Sequence, residues 1–239
     1  MEKEIVHIHQ VVTRLPELRF AEPVEWRICE GEQWAVVGPN GAGKTLLADI
    51  LQRKFAFREG EVCYNKEGKV SDIIRSIAFK DIYSLADCRN SYYQQRWHAT
   101  ESDDVPTVAE TLSTYEGTEN LKEVLHIFGI EDLLPKKLIY LSSGELRKFL
   151  IVRTLLSRPE ILILDNPFIG LDAPSRDLLV DMLGQLSHLH GVQVILLLSN
   201  PADIPDMITH VLPIAGKKCY PPMSREAFLA DTALIQILF

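Results

Sequence analysis

The residues from Gly38 to Thr45 have the types and the spacing that binding a phosphate chain requires. A glycine is followed by four residues and then by Gly-Lys-Thr, the pattern of a loop whose backbone N–H groups point at phosphate oxygens. In this pattern the lysine reaches the β- and γ-phosphates, and the threonine hydroxyl holds Mg²⁺. The segment therefore predicts a nucleoside triphosphate site; the alternative is a glycine-rich turn between a strand and a helix. The predicted phosphate contacts are Gly38, Asn40, Gly41, Ala42, Gly43, Lys44, Thr45 and Leu46.

A second candidate for metal chemistry lies at the end of an apolar run. Residues 161–164 are Ile, Leu, Ile and Leu, and Asp165 and Asn166 follow them directly. Proteins with a phosphate loop hold Mg²⁺ with an aspartate at this place, on the side opposite the threonine. We expect Asp165 to be a metal contact beside Thr45; the alternative is an acid that caps a helix or a turn.

A third segment, Ser142-Ser143-Gly144, opens a predicted helix. Ser142 and Glu145 have the spacing of a capping box, which satisfies N–H groups at the start of a helix. The segment therefore has a purely structural interpretation as a well-capped helix. Its hydroxyl and amide groups at the positive end of a helix would also suit a γ-phosphate.

The elements that must position these residues are indicated by apolar patterns. Continuous apolar runs at residues 35–37, 161–164 and 194–198 are typical of strands buried on both faces of a parallel sheet. Residues 107–160 favour helices, including 120–128 and 144–156. We expect these helices to form a subdomain inserted between the phosphate-loop strand and the later strands.

The N-terminal residues 5–9 alternate between apolar and polar types, as a half-exposed strand does. Because side chains alternate across a strand, His7 and His9 should lie on one face. Two interpretations are open, a pair of metal ligands and a pair of solvated histidines on an edge strand. The second is favoured.

Composition excludes several classes of protein. The chain has 239 residues, 46% of them apolar, and a net charge of −8, so no basic face for nucleic acid is expected. Its four cysteines lack metal-ligand or redox spacing, and no apolar stretch reaches the length of a membrane span. We expect a cytoplasmic protein that meets the inner face of a membrane only through a partner.

Taken in order, the three segments resemble the nucleotide-binding domain of ATP-binding cassette (ABC) proteins. They correspond to that family's phosphate loop, its signature motif at 141–145, and its Walker B motif and D-loop at 161–172. More narrowly, residues 94–97, 141–148 and 172–176 are similar to the first cassette of tandem-cassette ATPases linked to molybdate transport or photorepair.

The resemblance implies an α/β fold. It comprises a P-loop NTPase core with a mainly parallel sheet, an N-terminal antiparallel β-subdomain and an inserted helical subdomain. Residues 1–239 would form one such domain, with a variable loop and the helical subdomain at about 90–157. ATP and Mg²⁺ are the implied cofactors. The implied partner is a second cassette, as a homodimer, a heterodimer or a tandem domain, docked head to tail so that the signature residues Ser142, Ser143 and Gly144 face its ATP.

The chain departs from the family pattern at two catalytic positions. The family carries glutamate after the Walker B aspartate, where this chain has Asn166, and histidine near the end of the last strand, where it has Asn200. An amide can orient water but cannot accept its proton. We expect Asp165, Asn166 and Asn200 to surround the γ-phosphate, with binding retained and hydrolysis weakened.

Two further family positions are irregular. The aromatic residue that stacks on adenine should fall near Arg14 or Leu15, so Phe20 and the guanidinium plane of Arg14 are both candidates. The usual glutamine that contacts the metal is missing after residues 77–79, and Gln94 or Gln95 is expected to replace it. The predicted metal contacts are Thr45, Asp165 and Gln94; for the two glutamines a polar surface loop is the alternative.

Three functions are compatible with these residues. The first is the ATP-binding component of an ABC transporter system, with a membrane permease as partner and slow ATPase turnover. The second is a soluble ATP-dependent regulatory switch without transport. The third, a small-molecule kinase, leaves the segments at 141–145 and 170–172 without a task and ranks last.

Overall fold

The fold alternates strands and helices along the chain, as the apolar patterns predict. A computed structural model describes residues 3–79, 105–117 and 119–239. In these residues the strands are β1 (Glu4–Thr13), β2 (Val24–Cys29), β3 (Trp34–Val37), β4 (Phe57–Tyr64), β5 (Ile74–Ala78), β6 (Ile161–Asp165), β7 (Gln193–Leu198), β8 (His210–Ala215), β9 (Lys218–Cys219) and β10 (Met223–Ser224). The helices are α1 (Lys44–Leu51), α2 (Val70–Ile73), α3 (Val108–Leu112), α4 (Glu119–Phe128), α5 (Ser143–Leu155), α6 (Ala173–His190), α7 (Arg225–Ala230) and α8 (Thr232–Leu238).

The described residues separate into two compact units. The first unit is drawn from Met1–Ser76, Pro159–Phe168 and Leu186–Phe239, and the second from Ile77–Arg158 and Ile169–Gln185. The phosphate loop and Asp165 fall in the first unit, and Ser142 falls in the second.

The larger sheet of the first unit has the strand order β10-β8-β3-β7-β6-β5, and β9 pairs with β8. Strand β3 runs parallel to both β7 and β8, and β6 runs parallel to β7. Every residue of β3, β6 and β7 is buried. Continuous apolar runs therefore mark the central parallel strands, and the prediction for them is confirmed. Because parallel strands end at one edge, this sheet gathers the polar residues that follow β3, β6 and β7.

A smaller antiparallel sheet in the same unit has the order β2-β1-β4. One face supplies Val6, Ile8, Trp26, Ile28 and Val62 to the core, and all five are buried. The expectation of an edge strand at residues 5–9 is wrong, because β1 lies between β2 and β4. The alternation of residue types arises from one buried and one exposed face and does not distinguish a central strand from an edge strand.

The second unit is mainly helical, as the pattern of residues 107–160 predicts. Helices α3 and α5 each begin with a complete capping box, from Thr107 and Glu110 and from Ser142 and Glu145. Phe128 of α4 and Phe149 of α5 are fully buried. Among the helices of the described residues, none combines the length and apolar character needed to cross a membrane.

Candidate nucleotide-binding site

The phosphate loop connects the end of β3 to the first residue of α1. Gly38 has no room for a side chain, because a Cβ atom there would lie 1.8 Å from the carbonyl oxygen of Ile214 on β8. Gly43 precedes the helix with a left-handed backbone, at a φ of 110°. Gly38 is therefore required because the backbone of β8 comes so close, and Gly43 because of its left-handed backbone conformation. The loop leaves α1 with its N-terminal amides at the edge of the sheet, as a phosphate site needs.

Lys44 is held against the loop that precedes it. Its side chain is buried, with 5% of the residue exposed, and its Nζ donates to the carbonyl oxygens of Gly38 at 2.7 Å and Pro39 at 3.0 Å. A buried ammonium group needs acceptors of this kind. Phosphate oxygens beside the loop would offer the same lysine stronger, charged acceptors.

Thr45 and Asp165 are brought together although 120 residues separate them in sequence. The Thr45 hydroxyl donates to Asp165 Oδ2 at 2.7 Å. Adjacent oxygens in an octahedral Mg²⁺ shell with bonds of 2.0–2.1 Å stand about 2.9 Å apart. The pair therefore fits a small, hard divalent cation in spacing and in donor chemistry. The two residues lie close together as predicted, because α1 begins and β6 ends at the carboxyl edge of the sheet.

Asn166 continues from β6 with a left-handed backbone, at a φ of 52°. Its Nδ2 donates to Asp165 Oδ1 at 2.8 Å, and its Oδ1 accepts from the Ser199 hydroxyl at 3.1 Å. Both ends of the amide are thus engaged by neighbouring side chains. Asparagine tolerates this backbone conformation better than most residues, which is consistent with its presence at the turn.

Ser199 is the residue of this site that the sequence interpretation passed over. Its hydroxyl lies 2.9 Å from Asn40 Oδ1 in the phosphate loop as well as 3.1 Å from Asn166 Oδ1. The neighbouring Asn200 is exposed, and its Oδ1 accepts from the backbone N–H of Ala202 at 3.1 Å. The assignment of Asn200 to the γ-phosphate stays a prediction. Ser199 could have been found from its position directly after β7, since β7 lies between β3 and β6.

Of the two candidates for adenine stacking, Phe20 lies against the phosphate loop. A Cβ atom at Gly43 would be 3.3 Å from Phe20 Cζ. The backbone supports this placement, because Ala21 donates to the Lys217 carbonyl and Lys217 donates to that of Ala42. Arg14 is exposed, and its backbone N–H donates to the carbonyl of Ala56. The geometry favours Phe20 over Arg14.

The signature residues lie in the second unit at the start of α5. Ser142 and Ser143 are exposed, and Ser142 Oγ accepts from the Glu145 N–H at 3.2 Å. A hydrogen bond from the Lys136 ammonium group holds the pKa of Glu145 below its usual range, assisted by the Ser142 N–H and opposed by burial. Because Ser142 Oγ is an acceptor in this cap, its hydroxyl proton can be donated to another group. Ser142 and Gly144 line a cavity of about 190 Å³ that Leu171 and Ser175 also line.

Gln94, the third predicted metal contact, lies outside the described residues, as does Gln95. Of the three predicted metal contacts, the structure describes Thr45 and Asp165, both in the first unit.

The sequence between residues 21 and 169 matches the family described as ABC transporter. The chain belongs to the ABC transporter family. Its α/β fold, with a mainly parallel core sheet and a separate antiparallel sheet, is the fold of ATP-binding cassettes, and the predicted fold class is confirmed. Members of this family bind nucleotides, which agrees with the phosphate loop.

Two relatives illustrate how this cassette compares with longer ABC proteins. An uncharacterised ABC transporter ATP-binding protein of Schizosaccharomyces pombe is 30% identical over 219 residues, 88% of this chain and 45% of the relative. The ABC transporter ATP-binding protein ModF of Escherichia coli is 30% identical over 241 residues, 97% of this chain and 46% of the relative. The chain thus spans about half the length of each of these relatives.

Among solved structures, the fold is similar to that of cbiO1 from Clostridium perfringens, which is part of the ABC transporter complex cbiONQ. The TM-score is 0.78 at 17% sequence identity, with 99% of this chain and 94% of cbiO1 covered. At this identity the likeness establishes the fold.

Proposed function

We propose that this cassette binds Mg·ATP at the phosphate loop and closes head to tail onto a second cassette. It would thereby serve as the ATP-binding component of an ABC transporter whose turnover at this site is slow. The observation that carries the proposal is the contact between Thr45 and Asp165, at 2.7 Å, beside the buried ammonium group of Lys44. These groups supply the two oxygen ligands and the cation that a triphosphate with its metal requires.

Binding is divided among three parts of the first unit. The amides of the phosphate loop and Lys44 would hold the phosphates, and Thr45 and Asp165 would hold Mg²⁺. Bound there, Mg²⁺ would neutralise charge on the β- and γ-phosphates. Phe20, beside Gly43, would stack on adenine.

Hydrolysis is expected to be slow because Asn166 stands where the family has glutamate. Its amide cannot accept a proton from water, its Nδ2 already donates to Asp165, and its Oδ1 shares the single Ser199 hydroxyl proton with Asn40. Loss of a general base typically lowers a rate by about 10²- to 10⁴-fold, or about 3–5 kcal/mol of activation free energy. Asn166 would orient water at most.

The second cassette would use the signature segment of this chain. The exposed Ser142 at the N-terminus of α5 has a hydroxyl proton to donate and lies at the positive end of a helix. These groups suit the γ-phosphate of an ATP that the partner holds. A homodimer would contain two sites that each carry Asn166 and would turn over very slowly. A partner with glutamate at that position would provide one active site for both cassettes.

The asparagine at position 166 favours a second candidate function. A cassette whose Asn166 amide bonds Asp165 and lies beside Ser199 could use ATP binding alone to drive dimer closure, as a soluble regulatory switch. Co-purification with a membrane permease would favour the transporter component, and ATP-dependent dimerisation without a permease would favour the switch.

Steady-state hydrolysis of Mg·ATP across protein concentration tests the proposal. Asn166→Glu supplies a base, and Asn166→Gln is its matched control, with the same length but an amide. We expect wild type and Asn166→Gln to be nearly inactive and Asn166→Glu to gain activity that rises faster than linearly with concentration. Lys44→Ala should abolish ATP binding in every background. Brisk turnover by wild type, or equal rates for the two substitutions, would contradict the assignment of Asn166.

A further inference from the structure

We propose that the exposed face of the three-stranded sheet carries a binding site for a zinc-class divalent cation, built from His7, His9 and Glu25. The site lies in the first unit and involves none of the residues assigned to nucleotide binding. Zinc binding at this site can therefore be tested independently of the proposed function.

Strand geometry brings the three side chains together. His7 and His9 are two residues apart on β1, so both rings project from the face opposite the buried Ile8. Ile8 pairs with Trp26 of β2. Because the two strands are antiparallel, Glu25, which precedes Trp26 in the chain, lies on the same side of this pair as His9. The two imidazoles and the carboxylate therefore converge from neighbouring strands.

The three ligand atoms lie close enough together to converge on one metal ion. One ligand atom from each residue can be chosen so that all three lie within 4.8 Å of one another. Glu25 Oε1 is 2.5 Å from His7 Nε2, and Glu25 Oε2 is 3.3 Å from His9 Nδ1. Ligands bound to zinc at 2.0–2.1 Å stand about 3.3 Å apart in a tetrahedron. Closure on the ion requires His7 and Glu25 to separate by a fraction of an ångström.

The surroundings already orient these ligands. A β-bulge between Ile8 and Val11 turns Gln10 so that its backbone N–H and Nε2 both donate to Glu25 Oε2, at 3.0 and 2.9 Å. The other ring nitrogen of His7, Nδ1, lies 3.9 Å from a carboxylate oxygen of Glu4. Gln10 therefore holds the Glu25 carboxylate in place as an outer amide does at a metal site, whereas Glu4 lies beyond hydrogen-bond distance of His7.

The donor set selects the class of cation. Two imidazoles with one carboxylate suit zinc and leave a fourth position open, whereas Mg²⁺ prefers oxygen ligands alone. The side chains of His9 and Glu25 are 58% and 44% exposed, so an ion has a path from solvent.

The competing explanation is a hydrogen-bonded His–Glu cluster that binds no ion. Isothermal titration of the purified full chain with Zn²⁺ alone, without nucleotide, distinguishes the two. We expect binding of a zinc ion that weakens by about tenfold or more in His9→Ala and in Glu25→Gln. Saturating Zn²⁺ should also raise the melting temperature of wild type, and the same Zn²⁺ concentration should raise that of His9→Ala by less.

Two matched controls come from the chain itself. Cys63 pairs with His7 from β4, so Cys63→Ser tests whether any change on this sheet face affects binding. His126 and Glu131 form another exposed His–Glu pair, at 3.2 Å. His126→Ala therefore tests whether one exposed His–Glu pair is sufficient to bind zinc. Both variants should bind zinc as wild type does. Absence of binding by wild type, or equal binding by a folded His9→Ala variant, would overturn the proposal.

Discussion

Replacing Phe20 with leucine should weaken ATP binding without disturbing the phosphate loop. The ring of Phe20 lies beside Gly43, and Phe20 is partly buried against the core of the first unit. Leucine keeps most of the apolar contact with the core but removes the aromatic face. Arg14→Ala is the matched comparison, because Arg14 is the other residue that could stack on adenine.

The magnitude follows from the energy of stacking a base on an aromatic side chain. Such stacking is worth about 1–3 kcal/mol per base. Because part of the Phe20 ring is buried against the core, we expect the lower part of this range, about 1–2 kcal/mol. The dissociation constant for Mg·ATP should therefore rise about 5- to 30-fold. Arg14→Ala should change it by less than about 2-fold, since Arg14 has no described contact with the phosphate loop.

The assay compares ATP with tripolyphosphate, which has the phosphates but lacks the base. Titration calorimetry in the presence of Mg²⁺ measures both ligands with wild type, Phe20→Leu and Arg14→Ala. We expect Phe20→Leu to weaken ATP and to bind tripolyphosphate as wild type does. Phe20→Trp should restore ATP affinity, because indole offers a larger stacking face.

Two results would refute this reasoning. If Phe20→Leu weakened tripolyphosphate as much as ATP, the ring would act by supporting the loop at Gly43. If Arg14→Ala weakened ATP more than Phe20→Leu did, the guanidinium plane would be the stacking group.

Two other predictions concern stability. Gly38→Ala should lower the free energy of unfolding by about 3 kcal/mol or more, because its Cβ would lie 1.8 Å from the Ile214 carbonyl oxygen. Urea denaturation measures this change. The control is Gly184→Ala, in a helix with open space, which should instead stabilise the protein by up to about 1 kcal/mol. Glu25→Gln should destabilise the protein at neutral pH by less than about 1 kcal/mol, since Glu25 is exposed enough for solvent to screen it. Because the folded pKa of Glu25, about 2, lies below its ordinary value of 4.5, this difference is present above pH 4.5 and should vanish as the pH falls toward 2. Denaturation of wild type and Glu25→Gln across pH, with a chelator present, measures this difference in stability. A difference that persists in full at pH 2 would contradict its assignment to the lowered pKa of Glu25.

Much of the nucleotide site could be predicted from contiguous residues. The phosphate loop, the helix after it and the capping box at Ser142 depend on local backbone geometry, which neighbouring residues determine. The same holds for β3, β6 and β7, whose unbroken apolar runs require burial on both faces. Parallel pairing of these strands then brings Asp165 to Thr45, so even this long-range contact was predictable from the pattern.

Other features were decided only by the tertiary structure. The central place of β1, the position of Phe20 beside the phosphate loop and the contacts of Ser199 depend on which strands pair and in what register. A sequence window carries no information about a partner strand, so it shows that His7 and His9 share a face but not that Glu25 joins them. Residue types and spacing thus determined the family, the fold class and the phosphate loop of this protein. Strand pairing decided which further side chains surround each site, because pairing sets distances between residues that are remote in sequence.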